Sequence, residues 1–362
     1  MSQRVPLCLL PSCHLNSCLL CGIVIPMMDE TMECPRRGSF YTEERDQALR
    51  NGPLKEYWKS KPKHVIVPST EVEESYFSKY PQLWSYFYRA IIKESDTKYR
   101  LTGINRMERI GQDDRIYSLN DPAMARIGGE KYARHYSRQF TPFDAADITG
   151  QHLPNGKKSI GYVIHAHCWV LFGRVLGLTP TDITLAKFVQ ASWKHWHNNQ
   201  WGLHDLNADW PPHHIPSAFI YGCDIYQNPV IVPALQKAIE SARFMCQCSC
   251  PCPSKVPLDV AILIAEIVCP IEYTMENVID TQNMVFAFQW KLPGWFWRAR
   301  VNADEFIEFG GLKMFKSPVD WQMLSLDLMA LVSDSPRYPS SGLANRKRVL
   351  GIMLAIKSAY LD

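Results

Sequence analysis

Apolar positions recur at helical spacing over the last third of this chain. Val256–Val268 carries valine, leucine and isoleucine at i, i+3, i+4 and i+7, and similar stripes follow near 280–290, 317–332 and 345–361. Residues at these intervals share one face of a helix. The pattern therefore predicts a helical domain over 251–362.

The pattern before residue 250 is mixed. Trp84–Ile92 and Ile164–Leu176 fit helical spacing, whereas glycines and prolines divide 95–160 into segments that predict short strands and loops. The tryptophan- and histidine-rich stretch 191–216 has no period and predicts a loop. The cysteine- and proline-rich stretch 246–257 predicts a linker.

These patterns predict an α+β protein, mostly helical with short β segments. We expect three parts: a cysteine-containing N-terminal segment over 1–62, a mixed central domain over 63–250 and the helical domain over 251–362. Asp280 is a residue type that favours the N-cap position, and we predict that the second helix of the last domain begins there.

Composition narrows the function classes. Hydrophobic residues make up 46% and charged residues 21% of the 362 positions, which is typical of a folded globular protein. A net charge of +3 does not favour nucleic-acid or membrane-surface binding. No apolar run approaches the roughly 18–20 residues that span a bilayer. Prolines interrupt the apolar start, so we expect no secretion signal and a cytoplasmic or nuclear protein with reduced thiols.

Several short motifs follow one another in order. They are "CLLCG", "HAHCWVLF", "VPLDVAILIAEIV", Asp280, "KLPGWFWRARV", "DWQML" and "GLANRKRVLGIM". Together they resemble the fungal F-box-like proteins, whose F-box is a short helical module opening with a Leu-Pro-x-Asp/Glu step. This chain departs from that pattern at Val256, where the family usually has leucine, and in the length of "CPIEYTMENVI".

The resemblance implies a non-catalytic subunit of a cullin–RING ubiquitin ligase that binds the Skp adaptor and, through its central domain, an unknown protein substrate. The same apolar residues could instead pack the domain's own core, and a scaffold without any ligase connection is the alternative function. The resemblance implies these adaptor-contact residues: Pro257, Leu258, Val260, Ala261, Ile264, Met284 and Phe288.

Motifs of common enzyme classes do not occur in the sequence. A thiol enzyme would need a cysteine beside an imidazole, which Cys168 and His165 could supply. However, Cys168 falls in the apolar stripe of its predicted helix, where a buried thiol is inert. We therefore expect no catalytic site.

The same two residues could serve as metal ligands. Cys18 and Cys21 have the spacing of half a zinc site, and His165 and Cys168 lie three residues apart, close enough to share one ion. The sequence thus predicts a structural Cys3His zinc site in which the N-terminal segment folds back. The alternative is that Cys168 only packs in the core and the N-terminal segment is disordered.

Overall fold

A computed structural model describes residues 17–23, 25, 66–77, 81–106, 116–127, 138–146, 148, 159–178, 182–199, 219–220, 223–225, 227–248, 256–301, 306–309, 319–334 and 337–362. The chain divides into two compact units, Met1–Phe219 with Val349–Asp362 and Ile220–Arg348. The α+β class agrees with the sequence-based expectation. The boundaries differ from the predicted ones, because the second unit already begins at Ile220 and the last residues belong to the first unit.

The described strands of the first unit are β1 Ile66–Pro68, β2 Phe87–Lys93, β3 Tyr99–Leu101, β4 Asn105–Arg106, β5 Ile116–Leu119, β6 Met124–Arg126, β7 Phe140–Ala145 and β8 Ile160–His165. Six of them form one sheet. Its strand order is β3-β2-β8-β7-β5, and β4 also pairs with β2. The pair β7–β8 is parallel and the other pairs in this sheet are antiparallel. A separate antiparallel pair joins β1 and β6.

Strand β2 corrects the first predicted helix. The helix predicted from the spacing of Trp84–Ile92 is wrong. Pro81–Tyr86 forms a short 3-10 helix, and strand β2 follows it directly. Six of the seven β2 residues are buried, since the strand has neighbours on both edges and is covered on both faces. A strand buried on both faces reads as a continuous apolar run, which periodicity cannot distinguish from a buried helix.

The helices of the first unit are α1 Ser69–Glu73, α2 Ala166–Leu176 and α3 Leu185–Asn198. Helix α2 begins two residues later than the predicted stripe, because Ile164 and His165 still belong to β8. Helix α3 corrects the predicted loop over 191–216, whose residues from 200 onward lie outside the described part. Its buried face includes Phe188, Ser192 and Trp196, at i, i+4 and i+8.

Among its described residues, the second unit contains all or part of six α-helices and the 3-10 helix Tyr338–Ser340. It also contains a short strand pair, except for Phe219, which belongs to the first unit. The strands are β9 Phe219–Ile220 and β10 Cys223–Asp224, and the helices are α4 Pro233–Cys248, α5 Leu258–Val268, α6 Met275–Phe288, α7 Gly294–Arg298, α8 Trp321–Ser333 and α9 Leu343–Leu361. Helix α9 supplies residues up to Arg348 to this unit and the remainder to the first.

Two sequence-based boundaries in this unit are wrong. Helix α4 continues through Cys246 and Cys248, so the predicted linker does not begin at 246, and residues 249–255 lie outside the described part. Asp280 lies inside α6 rather than at its start. The N-cap is Thr274, which forms a reciprocal capping box with Asn277.

Two clusters of buried residues form the core of the second unit. One contains residues of α4 and α8, including Leu235, Leu324 and Leu328. The other lies where α5 and α6 meet α7 and contains Ala261, Ala265 and Trp297. Among the described residues, no helix is both long and apolar enough to cross a membrane.

Candidate metal centre and candidate docking surface

Cys18 and Cys21 lie on a tight turn. The Cys18 carbonyl accepts a hydrogen bond from the Gly22 amide at 2.9 Å, and the Cys18 amide donates to the Ile23 carbonyl at 2.9 Å. Gly22 adopts a φ of 73°, in the left-handed region that glycine occupies without steric cost. This turn brings both thiols to one side of the segment. A Cys-x-x-Cys spacing is the usual half-site of structural zinc.

The other two residues lie at the junction between β8 and α2. His165 is the last residue of β8 and the N-cap of α2, and Cys168 is in the first turn of that helix. The N-terminal segment reaches this junction by pairing beside β8, where the Leu19 amide donates to the Val163 carbonyl at 2.9 Å. The prediction that His165 and Cys168 both lie within one helix is therefore wrong, but the predicted proximity of the two residues is confirmed.

The four side chains converge. The ligand atoms of Cys18, Cys21, His165 and Cys168 all lie within 4.8 Å of one another. His165 Nδ1 is 3.3 Å from Cys21 Sγ and 4.0 Å from Cys168 Sγ. The edge of a tetrahedral zinc site with bonds of about 2.3 Å is about 3.7 Å. The cluster therefore has nearly the size and the donor set of a Cys3His metal site.

The cluster is closed to solvent. Its four residues are at most 1% exposed, and Trp84 covers it with its ring centroid 4.9 Å from that of His165. His165 Nε2 is buried without a hydrogen-bond partner among the described residues, so Nδ1 is the nitrogen that faces the sulfurs. A site without an open position binds an ion structurally and leaves no place for a substrate.

Electrostatics within the cluster favour a negative charge on the sulfur of Cys18. Burial would raise the pKa of the Cys18 thiol, but hydrogen bonds from Cys168 and Cys21 and the charge of His165 hold that pKa well below its ordinary value. Burial would lower the pKa of His165, yet its electrostatic interactions and hydrogen bonds with Cys18 and Cys21 raise that pKa to about 10. Binding of a divalent cation would require a neutral His165 and deprotonated cysteines, so it would release protons from the cluster.

Cys168 is not an accessible nucleophile in this conformation. It is fully buried, and burial together with hydrogen bonds to Cys18 and Cys21 raises its pKa well above the ordinary value. His167, the other histidine of the motif, faces away from the cluster, with Nε2 3.4 Å from the Ser75 carbonyl oxygen. Burial lowers the pKa of His167 to about 4, so it is neutral.

Sequence reasoning missed Trp196 as a support of this site. Its indole Nε1 donates a 2.7 Å hydrogen bond to the carbonyl oxygen of Leu19, between the two cysteines of the turn. The ring also lies against Gly22, where an added Cβ would be 2.8 Å from Trp196 Cη2. The signal that could have found it is the period of Phe188, Ser192 and Trp196, which was obscured by the surrounding polar residues.

Helix α5 carries the second feature of interest. Its buried face is formed by the small residues Ala261 and Ala265, whereas Leu263 is 61% and Ile267 is 81% exposed. Val260 and Ile264 are exposed on the same side. A helix that packs on its own domain normally turns its large apolar residues inward. Here they form a stripe at i, i+3, i+4 and i+7 that faces solvent.

Helix α6 and the residues after it also expose large apolar side chains. Ile279, Phe286 and Phe288 are between 49% and 79% exposed, and Trp295 of α7 is 53% exposed. We call this set, together with the α5 stripe, the docking surface. Its members are Pro257, Leu258, Val260, Leu263, Ile264, Ile267, Ile279, Phe286, Phe288 and Trp295.

Five of the seven residues predicted to contact an adaptor belong to this surface. The other two, Ala261 and Met284, are buried in the cluster between α5, α6 and α7 and support the surface from below. In the "WFWRAR" motif, Trp297 and Arg300 are buried, and Arg300 donates to the carbonyl oxygens of Cys269 and Phe296. These two residues therefore pack the helices together.

Comparisons of this chain with protein-family models, with curated proteins and with solved structures found no match. The assignment of a function accordingly depends on the metal cluster and on the docking surface.

Proposed function

We propose that this chain is a non-catalytic, F-box-like subunit of a cullin–RING ubiquitin ligase. In this proposal, α5 and α6 bind the Skp adaptor and the first unit recognises the protein substrate, in the cytoplasm or nucleus. The observation that carries the proposal is the inverted packing of α5, with Ala261 and Ala265 inside and Leu263 and Ile267 outside.

Exposed apolar residues at this density are typical of a protein interface. A helix that presents i, i+3, i+4 and i+7 anchors fits the helix-in-groove mode of recognition. Pro257 is the N-cap residue of α5, and its fixed φ restrains the entry of the helix before any partner arrives. A scaffold without ligase connection would use the same surface with another partner. A thiol enzyme is disfavoured, because Cys168 is buried among other possible metal ligands.

The adaptor proposal is tested by titrating the full-length chain with purified Skp adaptor in a calorimeter. Leu263→Gln removes one exposed anchor but keeps a residue that favours helices, and we expect about tenfold weaker binding. The matched control is Leu354→Gln on α9, which is 48% exposed and lies outside the docking surface. Absence of adaptor binding by the unmodified chain, or equal affinity of the two variants, would contradict the proposal.

We also propose that the metal of the cluster is zinc. Three thiolates and one imidazole in a closed, tetrahedral arrangement are the donor set of structural zinc, whereas magnesium and calcium prefer oxygen ligands. The ion would cross-link the N-terminal turn to the β8–α2 junction, which Cys21 and His165 join across 144 positions of sequence. It would therefore hold the segment 17–25 in the core.

Elemental analysis of the purified protein tests this assignment. We expect about one zinc ion per chain, and substantial loss of it in Cys21→Ser. Cys223→Ser is the control, because Cys223 is also buried but lies outside the cluster. A full-length protein that folds and contains no metal would show that these thiols only pack the core.

A further inference from the structure

The docking surface has a one-sided charge. The range 256–289, which contains α5 and α6, has five acidic residues and no lysine, arginine or histidine. All five acidic residues are exposed. The whole chain carries a net charge of +3, so the remaining residues sum to +8, because +3 minus −5 is +8. The acidic residues are Asp259, Glu266, Glu272, Glu276 and Asp280.

These carboxylates lie beside the apolar anchors. On α5, Leu263 is four residues after Asp259 and three before Glu266, so both carboxylates are its neighbours on the helix surface. On α6, Ile279 follows Glu276 by three residues and immediately precedes Asp280. The apolar stripe is therefore bordered by negative charge.

Of the basic residues that flank the range 256–289, Lys255 lies outside the described part of the chain, and Lys291 and Arg298 follow the range. Lys291 follows α6, and Arg298 of α7 lies over the ring of Trp321, 5.3 Å from its centroid, and donates to the Gly294 carbonyl. Within the described residues, no salt bridge joins any of the five carboxylates to a basic side chain. These carboxylates are therefore exposed and available to a partner of opposite charge.

We infer that the partner of the docking surface is an amphipathic helix with an apolar centre and a rim of lysine or arginine. An apolar centre would cover Leu263, Ile264 and Ile267, while the basic rim would meet Glu266 and Asp280. Complementary charge at the rim steers association and excludes acidic competitors. The inference rests on the docking role proposed above, but not on the identity of the adaptor.

A pair of synthetic probes tests this inference on the full-length protein. One probe is an 18-residue amphipathic peptide of leucine and lysine, and the other is the same peptide with glutamate in place of lysine. Fluorescence anisotropy is measured with each labelled peptide. We expect the leucine–lysine peptide to bind at least about tenfold more tightly, with an affinity that falls as salt screens the rim.

Three variants separate the parts of the surface. Glu266→Lys with Asp280→Lys reverses two exposed rim charges and should weaken the leucine–lysine peptide about fivefold or more, because each exposed ion pair contributes up to about 1 kcal/mol. Ile267→Gln should weaken it through loss of the apolar centre. Glu240→Lys on α4, which is also exposed on a helix but outside the surface, should leave the affinity unchanged.

Two results would overturn the inference: equal binding of the two peptides, or equal affinity of the unmodified and charge-reversed proteins. Self-association that packs this surface against the same surface of a second copy would also overturn it, because residues 256–289 contain no basic side chain. The outcome is distinct from that of the adaptor titration. Failure of the Skp adaptor to bind, with selective binding of the leucine–lysine peptide, would refute the adaptor and retain the inferred partner chemistry.

Discussion

The indole nitrogen of Trp196 donates a 2.7 Å hydrogen bond to the carbonyl oxygen of Leu19. Leu19 lies between Cys18 and Cys21, and both Trp196 and Leu19 are buried. This bond attaches helix α3 to the turn that carries two of the four candidate metal ligands. The turn is thus positioned from two sides, by α3 through its carbonyl and by β8 through its amide.

Loss of this hydrogen bond should destabilise the first unit. In Trp196→Phe the Leu19 carbonyl is left buried without its donor, and we expect a decrease in the free energy of unfolding of about 1–3 kcal/mol. Trp193→Phe is a matched control, because the Trp193 Nε1 has no hydrogen-bond partner among the described residues. Chemical denaturation of the two variants measures the difference, and an equal loss in both would contradict the role of the bond.

Gly22 should tolerate no side chain. Its φ of 73° is strained for alanine, and the new Cβ would meet Trp196 Cη2 at 2.8 Å. We expect Gly22→Ala to lower the free energy of unfolding by about 2–4 kcal/mol. Gly177 at the end of α2 has a similar φ of 68° but no atom within 4 Å of its Cβ position. Gly177→Ala therefore isolates the cost of a left-handed backbone, about 1–2 kcal/mol, and thermal unfolding should rank the two variants accordingly.

Removal of metal should loosen the N-terminal segment. A zinc chelator is expected to lower the thermal unfolding midpoint of the full-length protein, because an ion that binds only the folded state stabilises it. Cys168→Ser should unfold at a lower temperature and lose its response to the chelator. Differential scanning fluorimetry with and without chelator gives both values. A midpoint that does not change in the unmodified protein would argue against a stabilising ion.

Asp327 of α8 offers a pH-dependent prediction. Burial raises the pKa of its carboxyl, an effect that the nearby charge of Lys237 partly offsets. A raised pKa in the folded state means that ionisation disfavours folding, so this contribution to stability is present at low pH and is lost as pH rises through the folded-state pKa. We therefore expect Asp327→Asn to stabilise the protein at pH 7.

The benefit of Asp327→Asn should disappear below about pH 3, where the aspartate is protonated in both the folded and the unfolded chain. Asp280→Asn is the control, since Asp280 is fully on the solvent side of α6. Urea denaturation at pH 7 and at acid pH provides the comparison. A variant that destabilises the protein at pH 7 would show that the ionised carboxylate is favoured by its surroundings.

The sequence predicted the helices that present one apolar face. The stripe of α9, with Val349, Met353, Ile356 and Tyr360, is buried as predicted. The sequence could not identify strand β2, because a strand covered on both faces does not alternate between apolar and polar residues. Nor could it place the start of α6, where Thr274 and Asp280 are both suitable N-cap types and only the reciprocal bond with Asn277 decides between them.

The metal cluster was predictable because each pair of possible ligands has a recognisable spacing in the sequence. Cys18 and Cys21 form one half and His165 and Cys168 the other, and the structure confirms that the four meet. The supporting residues were not predictable, because Trp84 and Trp196 act through long-range contacts that leave no local pattern. The sequence also could not predict that the apolar stripe of α5 is exposed. A stripe of valine, leucine and isoleucine looks the same whether a core or a partner covers it.

The long separation between the two halves of the metal cluster has a consequence for synthesis. His165 follows Cys21 by 144 positions, and translation proceeds at about 5–20 residues per second. Synthesis of His165 therefore follows synthesis of Cys21 by about 7–30 s. During that interval the other two members of the cluster do not yet exist, so they cannot shield the thiols of Cys18 and Cys21 from oxidation. The cluster therefore cannot close until the β8–α2 junction has been synthesised, and Cys18 and Cys21 can act as its first half only if they are still reduced at that point.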